Sequence, residues 1–168
     1  MLDGFLLYSF LGRELYPFIQ ATYFRNRLLR WYLSAGGGIP ISGGGPPLSS
    51  FKRATMLLRH QKMLLIFPEG RVNPGSPLLP FQHSFVRLAL REGALVVPVL
   101  LCGTEFALGD SQLFPRLATV RVVVREPIRL VDSFGHDQPA GYYAQQVQDR
   151  MAQDLTTLLA AETAMRCA

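Results

Sequence analysis

The 168-residue chain has no apolar run long enough to cross a bilayer as a helix. Its longest nearly unbroken stretch, ALVVPVLLC at residues 94–102, is nine residues with a proline inside, about half of what a spanning helix needs. A basic leader followed by an apolar segment is also missing, and an acid stands as early as Asp3, which argues against a signal peptide. Cysteine is scarce: Cys102 lies in an apolar run and Cys167 beside the last residue. Neither has metal-ligand spacing and no disulfide is needed, in keeping with a reducing compartment. The glycine-rich GGGIPISGGG has neither the G-x-G-x-x-G spacing nor the Gly-Lys-Ser/Thr of a phosphate loop, so a nucleotide site is not supported. No G-x-S-x-G elbow surrounds a serine; Ser84 merely adjoins His83. His60, His83 and His136 are not spaced as metal ligands and read as surface or helix-end residues. No metal site is expected.

What is present is enough apolar material for one buried core. Hydrophobic residues are 49% and charged residues 17% of the chain, which fits a single folded domain over residues 1–168 with no internal repeat or linker. The net charge of +5 is uneven. Residues 1–62 hold eight lysines and arginines against Asp3 and Glu14, while the remainder holds nine arginines against ten acids. The basic excess lies beside bulky apolar residues in YPFIQATYFRNRLLRWYL. Such a surface suits an anionic bilayer or a phosphorylated ligand, although a solvated helix face is an equally physical alternative. No recognition motif accompanies the charge, so nucleic acid is not the expected partner.

Along the chain, Asp3 reads as the N-cap of a short helix ending near Gly12. FRNRLLRWYLSA places Leu28, Leu29, Tyr32 and Leu33 on one helical face and arginines on the other, and stops at glycines 36–38. IPIS is a brief extended segment, and the serines ending GGGPPLSS can cap a helix over residues 51–61. MLLIF, ALVVPVLLC and TVRVVVREPIRL read as buried strands, SFVRLALREG as a helix with Phe85, Leu88 and Ala89 inward, and residues 140–164 as a long helix. Helices alternating with strands predict an α/β fold, a central, mostly buried sheet flanked by helices.

The most informative short stretch is FPEGR, residues 67–71, in which PEGR directly follows MLLIF. Functional loops in open α/β sheets follow the carboxyl ends of strands. Proline ends the strand because it has no N–H, glycine permits a tight turn or close approach of a ligand, and arginine offers a forked donor set matched to phosphate. Glu69 can hold that guanidinium or accept a hydrogen bond from a substrate hydroxyl. A surface turn with an incidental ion pair would use the same residues.

Taken together, IFPEGR, then LREGALVVPVLLCGTE, then VRVVVREPIRL resembles the phospholipid/glycerol acyltransferase family, typified by 1-acylglycerol-3-phosphate acyltransferase. The likeness extends from about residue 3 to residue 130, in the family's order. It implies a glycerolphosphate-acyltransferase-like fold and a peripheral enzyme on the cytoplasmic face of a membrane. The implied reaction moves a fatty acyl group from acyl-CoA or an acyl-carrier protein onto a lysophosphatidate-like acceptor, with no bound cofactor. By the same resemblance Glu69, Gly70 and Arg71 bind the glycerol phosphate, Arg71 touching the phosphate, and Val97 and Pro98 shape the pocket wall. Where the family carries a basic residue after a glycine and an apolar pair, this chain has Gly43.

The family's chemistry resides in a His-x-x-x-x-Asp block, whose imidazole takes the acceptor's proton while the aspartate orients it. His60, His83 and His136 are followed five positions later by Leu65, Leu88 and Gly141, so none fits. Asp3, followed by glycine and an apolar helix, matches the aspartate, and its histidine would precede Met1. The expectation is therefore a domain truncated within its first motif, and close to inactive as it stands, since a general base contributes about 10²–10⁴ in rate. The alternative is a non-catalytic module that binds lipid phosphate or a membrane surface.

Overall fold

A computed structural model describes residues 2–42, 47–71, 78–107 and 118–166. The expected α/β class is what it has: a parallel sheet with helices packed around it. The middle strand of that sheet is β1, Leu15–Gln20, a segment the sequence reading passed over. Its partners are β2, Ile39–Ile41, and β3, Met63–Leu65, both parallel to it. The pairing is staggered. Leu15, Tyr16 and Pro17 face Met63, Leu64 and Leu65, whereas Phe18, Ile19 and Gln20 face Ile39, Pro40 and Ile41. A proline inside LYPFIQ argues against a central strand because it cannot donate to a ladder. Here Pro17 sits where β1 changes partners, at the last position opposite β3 and just before the first opposite β2, the place where a missing donor disrupts least.

Two further strands, β4 (Val99–Cys102) and β5 (Arg121–Val124), form a separate antiparallel ladder, prolonged by a bridge between Val96 and Ile128. The expected buried strand over residues 94–102 is thus only its second half. Leu95 and Val97 are 52% and 38% exposed, while Leu100 is 4% exposed.

Among the helices, α1 is Leu2–Leu11, with Asp3 inside its first turn rather than capping it. Helix α2, Arg27–Ala35, is capped by the Asn26 side chain, which accepts from the Leu28 and Leu29 N–H groups. Helix α3, Leu48–Arg59, has no side-chain cap, and the serines expected to supply one lie inside it. One of them, Ser50, is buried and donates to the Pro40 carbonyl at 2.5 Å, fastening α3 to β2. Helix α4, Ser84–Glu92, ends at Gly93 in the left-handed conformation. Short helices α5 (Thr104–Ala107) and α6 (Leu130–Phe134) were not foreseen, and α7, Ala140–Arg166, matches the long helix expected there.

Helix α4 is the wall between two cores, because its sequence is apolar on adjoining faces. Leu88 joins Phe18, Ile39, Ala54 and Leu57 in the core between the parallel sheet and α3. Phe85, Val86 and Ala89 instead face Leu100, Ile128, Leu130, Tyr143, Val147 and Met151. Ile66, the residue that leads into FPEGR, packs against both cores. The buried Tyr143 keeps its hydroxyl satisfied by donating to the Gly135 carbonyl at 2.7 Å.

Candidate functional site at the carboxyl end of the parallel sheet

Because β1, β2 and β3 are parallel, Gln20, Ile41 and Leu65 end on the same side of the sheet. Ligands in open α/β folds bind outside such strand ends. FPEGR leaves β3 at this place and is held in a defined shape. The Gly70 N–H donates to the Phe67 carbonyl at 3.1 Å, closing the turn. Gln20 reaches across from the end of β1, its side-chain amide donating to the Gly70 carbonyl at 3.1 Å. On the other side the Gln82 N–H donates to the Pro68 carbonyl at 2.8 Å. Gly70 has φ +67°, and a β-carbon there would run into the side-chain amide of Gln82. Only glycine meets both conditions.

Glu69 is half-buried, and its carboxylate accepts the Leu79 N–H at 3.1 Å. That bond ties the turn to the segment entering α4, so the acid braces the backbone. It does not hold Arg71, as one reading of the sequence allowed: Arg71 is exposed and pairs with neither Glu69 nor any other described residue. The result is an immobilised turn that presents an unpaired guanidinium to solvent beside the strand ends. Arginine stays charged at any working pH and binds phosphate through paired N–H donors.

The other residues singled out from sequence belong to other elements of the fold. Asp3 is half-buried in the first turn of α1, and no hydrogen bond or ion pair among the described residues joins it to the turn. Pro98 is buried where β4 begins, its carbonyl accepting the Arg125 N–H at 2.9 Å, which is a role within the β4–β5 ladder. Gly43 lies outside the described residues. The histidines sit at helix ends as expected: His60 follows α3, His83 precedes α4 with its ring against Gly141, and His136 is exposed between α6 and α7. Among the described residues no three His, Cys, Asp or Glu side chains gather as a metal site. Gln20 and Gln82, which shape the turn, were missed. Recognising LYPFIQ as a strand would have put Gln20 at its carboxyl end, but nothing in sequence marks Gln82.

Charged pairs elsewhere fix the scaffold. At the opposite end of the sheet Lys62 donates to Glu14 at 2.7 Å, clamping the start of β3 to the start of β1. This lowers the Glu14 pKa and raises that of Lys62, in each case chiefly through the hydrogen bond itself. Arg59 at the end of α3 donates to Glu92 at the end of α4 at 2.9 Å, and that hydrogen bond is the main cause holding the Glu92 carboxyl below its usual range.

Residues 1–101 match the family model described as Acyltransferase. The chain belongs to the acyltransferase family. Among the chain's relatives, the 1-acyl-sn-glycerol-3-phosphate acyltransferase BAT2 of Brassica napus, a chloroplastic protein, is 30% identical over 131 residues, 76% of this chain and 38% of its own length. The 1-acyl-sn-glycerol-3-phosphate acyltransferase of Cocos nucifera is 34% identical over 79 residues, 47% of this chain and 26% of its own. The chain thus spans roughly a quarter to two fifths of the length of these relatives. Its fold is that of the 1-acyl-sn-glycerophosphate acyltransferase PlsC from Thermotoga maritima, with a TM-score of 0.61, 18% identity, and coverage of 83% of this chain and 56% of that one. No described helix is long and apolar enough to cross a membrane.

Proposed function

We propose that residues 1–168 are one acyltransferase domain of phospholipid biosynthesis that receives a lysophosphatidate-like acceptor at the FPEGR turn. The observation that carries this reading is the unpaired Arg71 on a turn locked by Gln20, Gln82 and Glu69 at the strand ends. The phosphate rests on the Arg71 guanidinium and the glycerol hydroxyl faces the acyl thioester, supplied by CoA or an acyl-carrier protein. In the transfer the hydroxyl oxygen bonds to the thioester carbonyl carbon, the carbon–sulfur bond breaks, and the hydroxyl proton ends on the departing thiol. An imidazole oriented by Asp3 is the base this step calls for. That imidazole is not His60, His83 or His136, none of which stands five residues before an aspartate. Because the acceptor resides in a bilayer, the domain works peripherally, at the cytoplasmic face.

Calorimetric titration with lysophosphatidate and with the monoacylglycerol of the same acyl chain, both below their micelle concentrations, tests this. A phosphate on a guanidinium is worth about 1.5–3 kcal/mol, so lysophosphatidate binds roughly ten- to a hundredfold more tightly than the monoacylglycerol. Equal affinities would contradict a phosphate site.

A further inference from the structure

Helix α2 has an apolar arc wider than the domain covers. Successive side chains are about 100° apart around a helix, so Leu29 and Leu33 share a face, and both are half-buried against the domain. Trp31, Leu28 and Tyr32 continue the arc at helical spacing, yet they are 74%, 81% and 49% exposed, and no residue of α2 is buried. The sequence pattern had grouped Leu28 and Tyr32 with Leu29 and Leu33 on one face. The structure turns that face so that only half of it meets the protein.

The helix is also rigidly built. Asn26 caps its start, the Gly38 N–H donates to the Leu33 carbonyl at 2.8 Å, and Gly37, at φ +76°, lies so close to the Tyr16 ring of β1 that a β-carbon there would touch it. Arg27 and Arg30 flank Trp31 on the helix, and Arg25 lies two residues before the helix starts; all three are exposed. Their surroundings hold no compensating acid in sequence: residues 15–68 contain seven lysines and arginines and neither Asp nor Glu. A rigid helix with leucine and tryptophan on one arc and arginines at its flank is the pattern of a helix lying in a membrane interface. The cations complement anionic headgroups, and the apolar arc gains by leaving water.

We infer that α2 is the element by which this domain sits on an anionic phospholipid bilayer, with Leu28 and Trp31 at the acyl boundary and Arg25, Arg27 and Arg30 among the phosphates. The inference extends the reading of a membrane-borne acceptor by naming the surface that meets the membrane. The arginines supply attraction before contact and the apolar arc supplies insertion, so the two parts are separable by mutation.

Trp31 is the only tryptophan in the chain, so its fluorescence reports on this surface alone. With vesicles of phosphatidylcholine and phosphatidylglycerol at seven to three, about 30% anionic lipid, Trp31 emission shifts to the blue, iodide quenching is lost and brominated acyl chains quench. Pure phosphatidylcholine vesicles give a much weaker response. Leu28→Ser lowers partitioning by roughly tenfold, and Arg27→Gln with Arg30→Gln by about ten- to thirtyfold. Circular dichroism confirms that these exposed changes leave the fold intact. Vesicle binding with Trp31 still open to iodide would overturn the proposal by showing that another surface makes contact. So would no binding at all, or a blue shift that depends on protein concentration and needs no lipid, which would mean that a second copy covers the arc. Lysophosphatidate titration of Leu28→Ser without vesicles separates the two readings: unchanged affinity leaves the acceptor site standing whatever α2 does.

Discussion

At the scale of single residues, FPEGR works because its parts have different tasks. The Pro68 carbonyl accepts the Gln82 N–H, Glu69 braces the backbone through the Leu79 N–H, Gly70 takes a left-handed conformation against the Gln82 side chain, and Arg71 is exposed. Substituting Gly70→Ala combines a left-handed φ with a collision against Gln82. The conformational part alone costs about 1–3 kcal/mol, so the melting temperature falls and lysophosphatidate binding weakens as the turn shifts. Adding Gln82→Ala removes the collision and is expected to restore part of both. If the double variant is no better than Gly70→Ala in either measurement, the Gln82 packing is irrelevant. That FPEGR forms a turn behind a strand was legible in sequence, but the division of labour within it was not. Glu69 and Arg71 are separated only by Gly70, which suggests an ion pair, whereas the backbone turn between them directs the carboxylate to Leu79. Gln20 and Gln82 are far away in sequence and carry no motif.

At the scale of elements, strands and helices with an unambiguous period were readable, and the failures share a cause. SFVRLALRE and the long C-terminal helix follow helical spacing closely enough that their buried residues were anticipated, including Phe85, Leu88, Val147 and Met151. Segment LYPFIQ was missed because a proline ordinarily disqualifies a central strand, and its staggered pairing is a property of the partners. Residues 94–102 looked uniformly buried, yet β4 begins only at Val99, after the buried Pro98. Contacts between elements also set the pH response. Arg59 of α3 and Glu92 of α4 join the ends of the two helices, and the bonded carboxyl titrates below the ordinary value of 4.5. A carboxyl whose pKa is lower folded than unfolded stabilises the fold above its unfolded pKa, and that contribution disappears as pH falls through the folded value. Urea melts of Glu92→Gln should therefore show a deficit against the parent protein at pH 7 that shrinks as the pH drops below 4.5. A deficit of the same size at pH 7 and in strong acid would exclude the Arg59 ion pair as its source.

At the scale of the whole molecule, two features organise everything else: parallel strands whose ends face one way, and a cationic first third. The first places the FPEGR turn where α/β folds bind ligands, and α4, shared by both cores, holds Ile66 and the turn against the rest of the protein. On the proposed function the second would attract the acceptor's phosphate and an anionic bilayer alike, and the exposed arc of α2 would add the apolar contact that charge alone lacks. Sequence showed the charge asymmetry plainly. Which face of α2 meets the protein depends on how residues 36–38 dock on β1, and that is decided in three dimensions. Arg71 as the proposed phosphate contact is tested most directly by one measurement. Affinities of the parent protein and Arg71→Ala are compared for lysophosphatidate and for the matching monoacylglycerol. The expected result is a loss of roughly ten- to a hundredfold for the phosphorylated ligand and none for the other, so that Arg71→Ala no longer distinguishes the two. An Arg71→Ala protein that still prefers lysophosphatidate by the parent's full margin would place the phosphate elsewhere and contradict the site described above.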